Sequence, residues 1–281
     1  MKTVGQVIAL CTEYLQSKKS VFGRLEAEHL MAHALGLKRI DLYLNFERPL
    51  EETELLLIRQ RLSRLAKNEP LQYIEGQVSF YNCLFHVNRS VLIPRPETEL
   101  LIDTIVKELQ KRTLKGKTLW DVCAGSGCIG IAIKKALPEL QVVLSDISRD
   151  ALDVARKNSA ENGVDVAFVE GDLLTPFDGT MADFVVSNPP YVSAQEYLHL
   201  DAHVRDYEPK TALVGGKTGL EFYEKLSLQL KDYVKSGGSC WFELGAGQKE
   251  SVVAMLRSNG YFDVRSFKDF SGCDRFVVFD V

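Results

Sequence analysis

The chain has 281 residues, 46% of them hydrophobic and 26% charged, a globular composition that allows one large domain or two of ordinary size. A net charge of −4 and a pI near 5.8 argue against a dedicated nucleic-acid binder and leave at most a local basic patch. The six cysteines form no CxxC pair, and the nearest two, Cys123 and Cys128, stand too far apart for a zinc knuckle, so no metal site is expected. No apolar run is long enough for a membrane span. The opening stretch MKTVGQVIALCTEYL is broken by polar residues and lacks a signal-peptide cleavage pattern, so reduced thiols and a cytoplasmic location are expected.

Residues 1–70 read as helices. Val4, Val7, Ile8, Cys11 and Leu15 share one helical stripe. A second helix runs from about Arg24 to Leu35 and stops at Gly36. Pro49 opens a third, carrying Leu55, Leu56, Ile58, Leu62 and Leu65. Without a strand signal between them, these predict a small helical bundle. His29 and His33 lie one helical turn apart, but no HExxH and no third ligand accompany them. The basic run RQRLSRLAK (59–67) reads as a solvated face, or less often as a contact for an acidic partner.

Residues 71–95 change character. Aromatic and branched residues around Gly76 and Asn82 predict a short linking hairpin. In VLIPRPETELL, Pro94 and Pro96 hold Arg95 extended, and Glu97, Thr98 and Glu99 begin a helix whose start favours acids. The third region, 96–281, soon turns to strand–helix alternation. KTLWDVCA, LQVVLSDI and VDVAFVEGDLL read as strands, with GSGCIGIAIKKAL and DALDVARKNSAENG as the helices between them. That alternation specifies a doubly wound, mostly parallel sheet, whose ligands bind where the strand order reverses.

Gly125-Ser126-Gly127-Cys128-Ile129-Gly130 is a GxGxxG between a strand and a helix. Asp146 follows Gly127 by roughly the 20 residues expected of an acid that binds ribose hydroxyls. Alone, this pattern suggests a nicotinamide dinucleotide. Asp121 opposes that reading, because a carboxylate at the end of a central strand suits a cationic ligand such as an amino-acid ammonium. Ser126 lacks the glycines of a nucleophile elbow. Gly216-Lys217-Thr218 fails as a phosphate loop, because Thr211 stands where the first glycine is required. Asp172 is either a plain turn residue or an acceptor for an adenine amino group, with Leu173 against the ring.

The second feature against the dinucleotide is Asn188-Pro189-Pro190-Tyr191, which ends the apolar strand ADFVVS. Prolines cannot donate ladder hydrogen bonds, so the sheet stops there and carbonyl oxygens are released. With the Asn188 side chain as a further acceptor and an aromatic ring following, the tetrapeptide would hold a planar group bearing an NH2. Its plainer reading is a strand-to-loop turn, since Asn-Pro opens turns.

Over nearly its whole length the chain resembles the family of peptide chain release factor N5-glutamine methyltransferases, also called HemK-type. The segments that carry the likeness are EPLQYI (69–74), VLIPRPETE (91–99), DVCAGSG (121–127), SNPPY (187–191), EPKTALVGGKTGLEFY (208–223), GGSCWFELG (237–245) and DFSGCDRFVVF (269–279). NPPY is widespread among enzymes that methylate amino or amide nitrogens, whereas LIPRPETE beside a helical domain is narrower. One departure stands out: Cys123 occupies a loop position where the family usually has glycine, which is strained if φ is positive there.

The resemblance implies a class I, Rossmann-like methyltransferase fold with a seven-stranded sheet, preceded by a helical substrate-docking domain. It implies S-adenosylmethionine as donor and a release-factor glutamine as acceptor; because the partner is a protein, one enzyme with one factor, a monomer, is the simplest expectation, and the net negative charge predicts no stable nucleic-acid binding. By the same analogy Asp121 and the loop Cys123, Ala124, Gly125, Ser126 and Gly127 hold the methionine part. Asp146 holds the ribose, Asp172 with Leu173 the adenine, and Asn188 touches both donor and acceptor. Asn188 and the Pro189 carbonyl would fix the amide nitrogen, with Pro190 and Tyr191 completing the acceptor pocket. The rival activity is methylation of an exocyclic amine of DNA or rRNA, since adenine also offers a planar NH2. A non-catalytic cofactor-binding regulator is a third reading.

Overall fold

The computed structural model describes residues 1–18, 23–261 and 263–281. The chain divides into two compact units: Met1–Gly76 with Ala202–Tyr207, and Gln77–Asp201 with Glu208–Val281.

The first unit is helical. α1 (Val4–Ser17) opens with a capping box between Thr3 and Gln6. α2 (Gly23–Leu35) stops before Gly36, whose φ of 65° suits only a residue free of Cβ strain. α3 (Arg39–Leu44) and α4 (Glu52–Leu65) follow, then α5 (Leu71–Glu75), ended by left-handed Gly76. Val4, Leu15, Leu30, Met31, Leu42 and Ile58 are among the side chains of its buried core. Two details depart from the periodicity. The six-residue α3 is too short to show a repeat. Pro49 does not open α4; it bridges to Thr3, and Glu51 with Glu54 caps the helix instead. The unit also reaches past residue 70, because α5 adds a turn whose Ile74 joins the same core. His29 and His33 face Arg39 (3.2 Å) and Arg61 (2.6 Å).

The second unit begins with a hairpin, β1 (Gln77–Phe80) and β2 (Cys83–His86), turning at Tyr81 and Asn82, both with positive φ. After α6 (Pro96–Leu109) come β3 (Thr118–Val122), α7 (Cys128–Ala136), β4 (Gln141–Asp146), α8 (Arg149–Glu161), β5 (Ala167–Glu170) and β6 (Ala182–Ser187). Short elements follow: β7 (Val192–Ser193), α9 (Ala194–Tyr197), α10 (Ala202–Arg205, in the first unit), α11 (Lys210–Leu213) and β8 (Val214–Gly216). α12 (Glu221–Tyr233), β9 (Val234–Glu243), α13 (Lys249–Ser258), β10 (Arg265–Lys268) and β11 (Asp274–Asp280) complete the chain.

Seven strands form one sheet in the order β10-β11-β9-β6-β3-β4-β5, parallel except for β11, which runs antiparallel to both neighbours. The expected doubly wound sheet is therefore present. Its two faces feed separate cores, as alternation along each strand dictates. Phe184, Val186 and Trp241 pack with α6 and α7, whereas Val185, Cys240 and Phe242 pack with α12 and α13. The strand order reverses between β3 and β6, so the loops after these strands border one crevice.

The hairpin is tied to α8 by two asparagines one turn apart. Asn162 accepts from the Leu84 N–H (3.2 Å) and donates to its carbonyl (2.8 Å). Asn158 does the same at His86 (2.6 and 3.1 Å) and also donates to the Ser126 carbonyl (2.9 Å). Asn158 is fully buried, so Asn158→Ala would leave backbone groups of both His86 and Ser126 without partners. The expected loss is about 2–4 kcal/mol of stability, from two or so unsatisfied buried groups. Urea unfolding checks it; a loss under about 0.5 kcal/mol would show that water replaces the side chain.

Candidate active site

The carboxyl ends of β3, β4, β5 and β6 surround a cavity of about 980 Å³, counting the part open to solvent. Segment 90–98, the start of α11 and Phe222 of α12 line the rest. Of the residues singled out from sequence, Cys123, Ala124, Gly125, Ser126, Asp146, Asp172, Leu173, Asn188 and Pro190 all border this cavity.

The loop after β3 owes its shape to backbone anchors. Gly125 (φ 55°) donates its N–H to Asp146 Oδ2 (2.8 Å), while Asp146 Oδ1 accepts from the Ser148 N–H (2.9 Å). Gly130, third glycine of the motif, lets α7 sit close on the sheet: a Cβ there would fall 2.3 Å from Leu144. Cys123 has φ 62°, so the strain foreseen for a non-glycine residue is present, on the order of 1–2 kcal/mol. Burial pushes the pKa of its thiol far up, against a small opposing pull from Ser187, which makes it a packing group and not a nucleophile. Leu173 also has positive φ (51°), which turns the chain sharply after β5.

Four of the expected residues do not line the cavity. Asp121 is wholly buried beneath it, where Oδ2 accepts from the Gly130 N–H (2.8 Å) and Oδ1 has no partner among the described residues. Burial pushes its pKa up to about 7. Gly127 (φ 77°) caps α7 and faces Ile131, Leu144 and Ala155. Pro189 is buried. Tyr191 is not among the lining residues: its ring packs near Gly245 and against the core behind β9, and its hydroxyl lies in the field of Glu243, Arg275, Arg95 and Glu97. Its carbonyl accepts from Gln248 Nε2 (2.8 Å).

Several residues of the site escaped the sequence reading. Gly215 and Gly219 clamp the 188–191 backbone: a Cβ on either would lie 2.3 Å from the Pro190 or Tyr191 carbonyl oxygen. Arg95, extended between its prolines (φ −97°, ψ 139°), donates to Glu208 Oε1 (2.6 Å). Glu208 Oε2 accepts from the Ile93 N–H (3.2 Å), which ties segment 91–96 to the segment leading into α11. Glu243, the last residue of β9, is 1% exposed, accepts from Thr98 Oγ1 (2.7 Å), and lies beside Asn188, whose side chain favours its ionised form. The available signal was a lone acid closing an apolar strand, the same signal that marked Asp121. Among the described residues no group of three or more His, Cys, Asp or Glu is placed to hold a metal ion. None of the helices described is long and apolar enough to cross a membrane.

A family model described as PrmC N-terminal domain matches residues 6–76, and one described as methyltransferase small domain matches residues 96–204. A protein of Geobacter sulfurreducens named release factor glutamine methyltransferase is 40% identical over 275 residues, covering 98% of this chain and 95% of its own. The chain belongs to the release factor glutamine methyltransferase family. A relative of the same name from Chlamydia trachomatis serovar L2 is also 40% identical, over 96% of this chain and 91% of its own. The class I methyltransferase fold of the chain is shared more widely. A solved methyltransferase from Pyrococcus furiosus superposes with a TM-score of 0.54 at 18% identity, over 79% of this chain and 98% of its own. The methyl donor of such enzymes is S-adenosylmethionine.

Proposed function

We propose that this protein transfers a methyl group from S-adenosylmethionine to the side-chain amide nitrogen (N5) of a glutamine in a peptide chain release factor. The observation that carries the proposal is the placement of Asn188, at the strand-order reversal, in one cavity with the glycine loop and Asp146.

The residues present suit the donor. The 123–127 loop offers a close backbone approach, and Asp146 and Asp172 offer carboxylates at the ends of β4 and β5. Asp121 keeps one buried oxygen unpaired beneath the loop, an acceptor for the ammonium of the methionine part. Asp146 is the ribose ligand, and Asp172 with Leu173 the adenine ligands. When bound, the donor supplies an electrophilic methyl on a sulfonium that is already a good leaving group.

The protein's task is then to present a poor nucleophile. An amide lone pair is delocalised into its carbonyl. Asn188 Oδ1 and the Pro189 carbonyl accept the two N–H bonds and favour partial pyramidalisation. They also stabilise the positive charge that grows on nitrogen, an oxyanion hole with its sign reversed. Holding the nitrogen in line with the methyl supplies much of the remainder. Phe222 gives the cavity an aromatic wall.

The helical unit is the docking part for the release factor. A monomer acting in the cytoplasm, without stable nucleic-acid binding, completes the reading. The deciding experiment offers labelled S-adenosylmethionine together with release factors, DNA and rRNA. Label on a single release-factor glutamine is the expected result. Label on nucleic acid alone would keep the fold and overturn the substrate.

A further inference from the structure

Asn188 can serve as an acceptor only if its amide is the right way round. Rotation by 180° about the last side-chain torsion exchanges oxygen for NH2, at little steric cost. A flipped Asn188 would offer donors to a substrate that itself brings N–H groups. Something must therefore fix the amide, and the neighbouring strand supplies a candidate. β6 and β9 are parallel neighbours, with Ser187 opposite Phe242, so the residues that follow, Asn188 and Glu243, emerge side by side. Glu243 is 1% exposed, and its carboxyl accepts from Thr98 Oγ1 at 2.7 Å. Its backbone carbonyl accepts from the Tyr223 hydroxyl at 2.7 Å, so the end of the strand is held as well. The Asn188 side chain, beside the carboxyl across the ladder, favours its ionised form.

We propose that Glu243, held by Thr98, is a positioning residue: its carboxylate accepts from Asn188 Nδ2 and so turns Asn188 Oδ1 toward the substrate nitrogen. This rests on the role given to Asn188 above. An ionised carboxylate has only acceptors to offer, so it admits one orientation of the amide. A protonated one can donate to Oδ1 and admits the other. The charged and titratable groups facing Glu243 are Arg275 of β11, Glu97 of α6, Tyr191 after β6, Tyr223 of α12 and Cys128 of α7. Burial, the dominant influence, pushes the Glu243 pKa up to about 7, against the opposing pull of Thr98, Arg275 and Asn188. Ionisation is then complete above pH 8 and lost below pH 6, so activity should fall on the acid side of neutrality.

The test compares Asn188→Ala, Glu243→Ala, Glu243→Gln and Thr98→Val for kcat, for S-adenosylmethionine Kd by calorimetry, and for the side-chain NH2 signals of 15N-asparagine between pH 6 and 8. In Glu243→Ala, kcat should fall roughly 10- to 30-fold with Kd within threefold, the scale of one lost charged hydrogen bond. Glu243→Gln, able to donate or accept, should show a smaller loss and, at saturating S-adenosylmethionine, a weaker break near pH 7, any break that remains being that of Asp121. In wild type the Asn188 NH2 signal should titrate with kcat. Thr98→Val, which leaves the strand intact, should lower kcat severalfold. If Asn188→Ala lowers kcat but Glu243→Gln keeps both the wild-type rate and its pH profile, the positioning role is overturned alone. If Asn188→Ala itself keeps kcat, the reading of the whole site falls with it.

Discussion

Replacing Asn188 by alanine is expected to lower kcat by roughly 10²–10³, the scale for losing one preorganised hydrogen-bonding partner of a transition-state charge. The magnitude follows from what the residue does at each stage. In the ground state the glutamine amide can hydrogen-bond to water as well as to Asn188, so binding of the release factor should change little. Only as the nitrogen pyramidalises and gains positive charge does a fixed acceptor at its N–H outperform water. The loss should thus appear in kcat, with KM nearly constant, the signature of an interaction made in the transition state. Single-turnover methyl transfer to purified release factor measures both. Transfer within tenfold of wild type in Asn188→Ala would remove the residue from the mechanism.

The second large effect is expected from Gly215→Ala, a methyl group added outside the cavity. Gly215 does not have the positive φ that penalises a side chain, so the substitution strains no dihedral. The obstacle is space: the new Cβ would lie 2.3 Å from the Pro190 carbonyl oxygen and 3.1 Å from that of Gly219. Both neighbours are backbone, so relief requires the 188–191 segment to move by on the order of 1 Å, enough to cost about 10²-fold when reacting atoms must align. The 123–127 loop follows β3 and is anchored by Asp146 of β4, so its own backbone bonds are not in the way and most of the proposed donor contacts should hold. We expect kcat to fall by about 30- to 100-fold while S-adenosylmethionine Kd stays within threefold of wild type. Stopped-flow turnover and calorimetry on the same sample check the two halves. A parallel loss of donor affinity would mean that the clamp shapes the whole cavity and not the acceptor side alone.

Much of this was legible in the sequence because it is written in local patterns. Strand–helix alternation from residue 117 fixed the parallel sheet. The glycine spacing with Asp146, and a strand closing on Asn188 and two prolines, put both halves of the cavity at the strand-order reversal before any coordinates. What escaped depends on who stands beside whom. Glu243 meets Asn188 only because β9 lies next to β6, a pairing between segments some 55 residues apart in register. The Tyr191 ring packs where Gly245, far along the chain, leaves room for it. Asp121 looked like a ligand from its place at a strand end. That it also holds the α7 backbone through Gly130 became visible only with the helix packed. The third helix of the first unit was hidden for a different reason, since six residues are too few to establish a period.

The asparagine pair on α8 has a further effect. A two-stranded hairpin has two bare edges, and a bare edge is a template on which another extended chain can add itself. On the β2 side, the outward N–H and C=O groups of Leu84 and His86 are already taken by Asn162 and Asn158, spaced one helical turn to match two residues of strand. The helix thus acts as a false neighbouring strand. Self-association through that edge is closed, and any polypeptide that joins the hairpin by strand addition has only β1 to pair with. An enzyme that must handle a second protein keeps one edge sticky at most, and its sequence specifies which.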